Sequence, residues 1–119
     1  MSLLNYGLGV TMGYSLKESD WKKFRAKFTG WQENYMARLC KEYIELLSQD
    51  KSSAERFWEL EKRIRHDKRN IGVICEMNRS SMLMNIQGLL AEEAITIDDL
   101  DDFSDELKEW ANICIRMIE

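Results

Sequence analysis

The stretch WKKFRAKFTGWQENYMARL, residues 21–39, decides the fold of this chain. Its large apolar residues recur at intervals of three and four, which places them on one stripe of an α-helix with most charged residues outside it. A stripe this rich in aromatic rings has to be buried, either by other helices of the chain or by another chain. The stripe consists of Trp21, Phe24, Phe28, Trp31, Tyr35 and Leu39.

The same periodicity predicts a first helix from about residue 16 to residue 49, with Ser15 and Glu18 forming a capping box at its start. Such a helix would be about 50 Å long, which is long for a chain of 119 residues. Gly30 lies in the middle of it, where glycine costs ~1 kcal/mol relative to alanine. A kink or break at Thr29 and Gly30, or a close helix crossing over Gly30, would each explain this glycine.

A second apolar stripe near the C-terminus predicts the last helix. We expect Thr96 or Asp98 to cap this helix, and the acidic residues of its first turns to compensate the helix dipole. The stripe repeats at intervals of three and four through Leu100, Phe103, Leu107, Trp110, Cys114 and Met117.

Two further helices are predicted between these. Ser52 and Glu55 indicate a helix that ends between His66 and Arg69, although a continuous helix reaching Ile74 is the alternative. The cap-rich residues 78–81 open another helix, and residues 95–97 form a brief connection to the last one. Its inward side is predicted to carry Met82, Leu83, Ile86, Leu89 and Leu90.

The composition supports an all-α fold. The chain contains no proline, is 45% hydrophobic and 32% charged, and is rich in strong helix formers. We therefore predict a single-domain helical bundle of four to five helices over residues 15–119, with a long first helix. Residues 1–14 are predicted to form a flexible or loosely packed N-terminal arm.

The three cysteines, Cys40, Cys75 and Cys114, are odd in number and widely spaced, which argues against a disulfide framework or a zinc site. Each lies on or beside an apolar stripe, so we expect all three to behave as buried free thiols. Free thiols favour a cytoplasmic location. No apolar run approaches the ~18–20 residues of a membrane span, so no membrane span is expected.

The sequence shows no arrangement of residues that indicates catalysis or a cofactor. The acidic block from Asp98 to Asp102 lacks the glycine and the closing glutamate of a calcium loop, so we expect no metal there. His66 is the only histidine, and its neighbour Asp67 points about 100° away around a helix. An enzyme is therefore not expected.

A basic cluster in the second predicted helix is the candidate electrostatic contact. Lys62, Arg65 and Arg69 share one side of the helix, where they could meet an anionic surface. Part of the cluster is expected to be neutralised within the helix by i,i+4 pairs, Glu59 with Arg63 and Glu61 with Arg65.

Residues between Gly72 and Ile95 resemble the helix-turn-helix half of a winged-helix regulator. A recognition helix needs lysine or arginine to neutralise phosphates, and none occurs between Ser80 and Asp105. Nucleic acid is therefore not expected as a partner, and a nucleic-acid-associated regulator with a degenerate helix-turn-helix is the alternative function.

The aromatic stripe supplies the main functional prediction. Trp21, Phe24, Phe28 and Trp31 fill one side of the first helix near the chain end, where a small bundle has least to cover them. We expect these four residues to contact a second copy or another protein. The sequence thus predicts a small cytoplasmic interaction or regulatory adaptor, homodimeric and without catalytic activity.

Overall fold

The computed structural model describes residues 14–118. Helix accounts for 72% of these residues and no strand occurs among them, so the predicted all-α bundle with a long first helix is confirmed. Two short 3-10 turns, Arg79–Ser81 and Ile97–Leu100, join the longer elements. The α-helices are α1 (Glu18–Leu47), α2 (Ser53–Asp67), α3 (Met82–Ala91) and α4 (Asp105–Ile118).

The N-terminal arm predicted for residues 1–14 lies outside the described residues except for Tyr14. Tyr14 belongs to the folded domain, because its hydroxyl donates to the Asp20 carboxylate at 2.8 Å. Its ring also packs against Trp110, with 6.5 Å between the ring centroids. The domain therefore includes at least one residue that the sequence assigns to the arm.

Helix α1 passes through Thr29 and Gly30 without a break. A Cβ atom added at Gly30 would meet no atom within 4 Å, so this glycine lies on the exposed side of the helix. The expected break and the expected close crossing are both wrong.

The start of α1 also differs from the prediction. Its N-cap residue is Lys17, which makes no side-chain capping bond, so Ser15 and Glu18 do not form a capping box. The Tyr14 hydroxyl accepts a hydrogen bond from the Lys17 backbone amide at 3.2 Å. A tertiary contact thus replaces the local cap that the sequence suggested.

Helix α4 begins later than predicted. The hydroxyl of Ser104 accepts from the Leu107 amide at 3.2 Å and caps the helix, whereas Thr96 caps the preceding 3-10 turn together with Asp99. Leu100 and Phe103 are buried as predicted, but they project from this turn and its exit rather than from α4. At the other end of the stripe, Met117 is exposed.

The hydrophobic core, formed by the N-terminal half of α1 with α3 and α4, encloses the aromatic stripe. Trp21, Phe24, Phe28 and Trp31 retain only 6, 0, 4 and 8% of their accessible surface. The rings pack on one another and Trp31 stacks on Phe103 at 6.3 Å between centroids. This corrects the prediction that the four residues contact another chain, since their own bundle already covers them.

Asp20 is a fully buried carboxylate that connects the first and last helices. Besides Tyr14, it accepts hydrogen bonds from the Ser104 amide at 2.9 Å and the Ser104 hydroxyl at 2.6 Å. Asp20 therefore holds the N-terminus of α4 in place.

The C-terminal half of α1 and helix α2 form an antiparallel pair, which we call the hairpin (residues 36–68). Ser52 and Glu55 form the predicted capping box at the start of α2. The molecule measures 53 × 30 × 25 Å with a radius of gyration of 16.7 Å, against about 13 Å for a compact domain of this size. The hairpin accounts for this elongation because α1 extends beyond the core.

The segment between α2 and α3 is fastened to the core through Glu92. The carboxylate of Glu92 accepts from the amides of Ile71 at 2.9 Å and Gly72 at 3.1 Å. Helix α2 ends at Asp67, within the predicted interval, and the alternative of a helix continuing to Ile74 is wrong.

The two glycines that lie on and against α1 should respond oppositely to alanine. Gly30→Ala should raise the free energy of unfolding by about 0.4–1 kcal/mol, because alanine lowers the conformational entropy of the unfolded chain. The added Cβ atom would meet no neighbouring atom in the folded state. At Gly72 a Cβ would lie 2.4 Å from Cδ2 of the buried Tyr35 ring, so Gly72→Ala should destabilise by about 1–3 kcal/mol. Urea titrations of both variants check this, and effects of the same sign would contradict it.

Candidate protein-interaction surface

The hairpin carries several of the most exposed large apolar side chains among the described residues. Ile44 on α1 and Phe57 on α2 keep 64% and 60% of their accessible surface. Their neighbours at helical spacing continue two apolar stripes along the same side of the helix pair. We call this side the hairpin face; it comprises Met36, Cys40, Ile44, Leu47, Phe57 and Ile64.

A shallow apolar groove lies where the hairpin face meets the core. Its volume is about 190 Å³, and Met36, Cys40 and Tyr43 of α1 line it together with Ile64 of α2 and Val73. The groove continues along α2 past Leu60 to Phe57. An apolar strip thus runs along the hairpin.

Polar contacts hold the two helices of the hairpin together. Arg63 pairs with Glu42 across the helices, and Lys51 pairs with Glu59 at 2.8 Å. The predicted pair of Glu59 with Arg63 is therefore wrong, since each has another partner. None of the apolar side chains of α2 is fully buried, so its stripe remains partly open to solvent.

Asp67 is the buried polar residue at the base of the hairpin. It accepts from the Tyr43 hydroxyl at 2.6 Å and from Arg63 Nε at 3.0 Å, and its other oxygen lies 3.3 Å from His66 Nδ1. Burial alone would raise the pKa of this carboxyl, but these hydrogen bonds and the charge of Arg63 hold the pKa below its ordinary value. The contact fixes the end of α2 against α1.

By helical spacing, the predicted electrostatic residues Lys62 and Arg65 lie on the side of α2 away from Asp67, which contacts α1, and Arg69 follows in the turn after the helix. Arg65 pairs with Glu61 at 3.0 Å, as the sequence predicts, whereas Lys62 and Arg69 form no ion pair with any residue from 14 to 118. Trp58 precedes Lys62 by one helical turn and is 62% exposed. Sequence reasoning missed Trp58, whose position outside the stripe of Phe57, Leu60 and Ile64 was the available signal. We call this edge the basic edge; it comprises Trp58, Lys62, Arg65 and Arg69.

The cysteines have three different environments, and all are free. Cys114 is buried, which raises its pKa to about 11, and Cys75 is half-buried, so that burial and the nearby charge of Glu92 raise its pKa as well. Cys40 is exposed on the hairpin face, so the prediction of a buried thiol is wrong there.

The region between Gly72 and Ile95 does not form a helix-turn-helix. It contains one α-helix, α3, whose residues Met82, Ile86 and Leu89 are fully buried in the core. With α3 packed inside and fourteen residues separating it from α2, the two-helix unit that would enter a DNA groove is absent.

Within residues 14–118, no three histidine, cysteine or acidic side chains are grouped so as to hold a metal ion. The acidic block from Asp98 to Asp102 lies in the 3-10 turn and its exit instead of the first turn of α4. Of the helices that the structure describes, none combines the length and the apolar character that crossing a membrane requires. Comparison with protein-family models, curated proteins and solved structures finds no match to this chain.

The three thiols should react at very different rates in dilute native protein. A chromogenic disulfide reagent should modify Cys40 rapidly and Cys114 only after denaturation, because the burial that raises the Cys114 pKa suppresses its thiolate. Cys40→Ser should remove the fast phase. A fast phase that survives this substitution would contradict the assignment.

The Asp67 carboxylate should make the stability of the hairpin depend on pH in the acidic range. Because the folded pKa lies below the ordinary value of 3.8, the carboxylate contributes stability that is fully present above that pH and is lost as the pH falls through the folded pKa. Asp67→Asn should therefore be less stable than wild type at pH 7, and the difference should shrink as the pH approaches 2. Thermal unfolding across this range measures it, and a pH-independent difference would contradict the role of the charge.

Proposed function

We propose that this chain is a small cytoplasmic adaptor that acts through protein–protein contacts, without catalysis, and that it forms a homodimer through the hairpin face. The observation that supports this most is the apolar stripe of Ile44, Leu47, Phe57 and Ile64 on a helix pair that projects from a closed core. The earlier candidate, the aromatic stripe of α1, has no surface left to offer a partner.

The size of the hairpin face favours an interaction role. An aromatic side chain can bury about 150–250 Å², so Phe57 alone presents on the order of 100 Å² to water. The aliphatic side chains of Ile44, Leu47 and Ile64 extend this to several hundred Å². Contiguous apolar surfaces of that size on small proteins are commonly interaction sites.

A second copy of this chain is the occupant that fits best. Two antiparallel helices with one apolar side are half of a four-helix bundle, and a two-fold axis would place the hairpin face against its own copy. Residues 36–68 contain eight basic and seven acidic residues, so two hairpins meet with little net repulsion although the whole chain carries −4. Pairing would cover in one step the stripes that α1 and α2 leave exposed.

Charge placed on the hairpin face should dissociate the dimer without unfolding the core. Sedimentation equilibrium of wild type should give about twice the chain mass of 14.1 kDa at micromolar concentration. Phe57→Glu with Ile64→Glu should give a monomer with unchanged helical circular dichroism, because both residues lie outside the core.

The matched control is Met84→Glu with Met117→Glu, which adds the same charge at two exposed apolar residues of α3 and α4. This control should remain dimeric. A monomeric wild type, or a control that dissociates as readily as the hairpin variant, would refute self-association through the hairpin face.

A further inference from the structure

The basic edge is a second surface of the hairpin. Trp58 follows Phe57 in the chain, so it points about 100° away from that residue around α2. The two rings touch edge to face at 5.0 Å between centroids, which supports Trp58 from one side while leaving most of it in solvent. A partner on the basic edge would therefore approach from a different direction than a second copy on the hairpin face.

Positive charge is concentrated beside Trp58. Residues 62–69, KRIRHDKR, contain five basic residues and one acidic residue in a chain whose net charge is −4. Arg63 is turned toward α1, and Glu42 of α1 together with Asp67 of its own helix neutralises it. Lys62 and Arg69 form no ion pair within residues 14–118, although Lys62 borders a cleft that Glu42, Glu45 and Glu59 also line.

Trp58 is the exposed tryptophan of the chain; the other three, Trp21, Trp31 and Trp110, are buried in the core. Tryptophan and arginine are the residue types most enriched in the energetic centres of protein interfaces. Trp58 thus gives a partner an apolar contact at one end of the basic edge, and the cations beyond it can bind acidic side chains of the same partner. The distance from residue 58 to residue 69 along α2 and its exit is about 16 Å, which matches a short peptide segment.

We propose that the basic edge binds an acidic segment of a partner protein. An apolar residue of that segment packs on Trp58, and two or three carboxylates follow it to meet Lys62, Arg65 and Arg69. The inference extends the proposed adaptor function by naming the chemistry of its partner, and it does not require the hairpin face to dimerise.

The acids on the same helix favour a protein segment over other anions. Glu61 lies between Trp58 and Arg65 and Glu59 borders the other side, so a nucleic acid, which carries a charge on every phosphate, would be repelled by them, whereas a peptide can place its few carboxylates away from Glu59 and Glu61. An interfacial membrane helix requires a broad apolar face flanked by bases, and these same carboxylates would be held at the lipid headgroups. A short acidic peptide needs only the row of cations and the ring.

Acrylamide quenching of tryptophan fluorescence tests the proposal, since the accessible signal comes mainly from Trp58. The probe is a 12-residue helical peptide with two leucines and four glutamates, added to the full chain. We expect saturable binding with a loss of about half or more of the accessible quenching, and binding weaker by about tenfold or more when glutamine replaces each glutamate. Trp58→Phe should abolish the accessible signal.

Lys62→Glu with Arg69→Glu should weaken peptide binding by about tenfold or more. The control Lys22→Glu with Arg116→Glu makes the same change in net charge at two exposed cations of α1 and α4, and should leave the affinity within about twofold. Absence of glutamate-dependent binding at millimolar peptide would overturn the proposal, as would equal losses in the two variants.

Competition experiments distinguish the acidic peptide from nucleic acid and from anionic membranes as the ligand of the basic edge. Tighter binding of a 12-nucleotide single strand, or of phosphatidylcholine vesicles containing phosphatidylserine, would overturn the assignment to an acidic protein segment. Sedimentation of Lys62→Glu with Arg69→Glu should still report a dimer. If a monomeric chain binds the peptide, the basic-edge proposal stands and self-association is refuted. If the chain is a dimer that does not bind the peptide, self-association stands and the basic-edge proposal is refuted.

Discussion

The length of α1 is the constraint on which the rest of the structure depends. Its 30 residues extend about 45 Å, whereas α3 and α4, with 10 and 14 residues, extend about 15 and 21 Å. Two short helices cannot cover the whole stripe of a helix twice their length. They bury its aromatic half, and the remaining half needs a different cover.

Helix α2 supplies only part of that cover. It packs beside α1 through charged and polar side chains, with Asp67, Tyr43 and Arg63 at the base of the hairpin. The buried Asp67 carboxylate and its polar neighbours fix the position and angle of α2 relative to α1, but they bury little apolar surface. Phe57 and Trp58 are consequently left mostly in solvent, whereas Leu60 and Ile64 are partly covered, and the molecule has a closed core and an open hairpin on one continuous helix.

Much of this fold follows from sequence periodicity, because a stripe at intervals of three and four identifies buried residues whatever covers them. Periodicity does not identify the element that covers a stripe, so the sequence predicts a partner contact for Trp21 and Phe28 although the chain's own core buries them. It also continues across Leu100 and Phe103, which a 3-10 turn can bury as well as a helix can.

The cap of α4 and the exposure of α2 depend on long-range contacts. Ser104 is held by Asp20, 84 residues earlier in the chain, and no local pattern encodes that bond. The clustering of Lys62, Arg65 and Arg69 was predictable from helical spacing alone. The exposure of Phe57 was not, since an apolar residue on an amphipathic helix is ordinarily buried. The basic surface residues of the hairpin could thus be located from sequence, whereas its exposed apolar residues could not.

The division of α1 between core and hairpin has a consequence for local opening. The hairpin is built from contacts close in sequence, so we expect it to open while the core stays folded, as a cooperative unit of lower stability. Amide protons in one uninterrupted helix should then exchange at two levels, slowly near Phe24 and faster near Ile44. A partner that covers the hairpin would slow its amide exchange to the rate of the core. The exchange rate of α2 amides would therefore report whether a partner is bound to the hairpin.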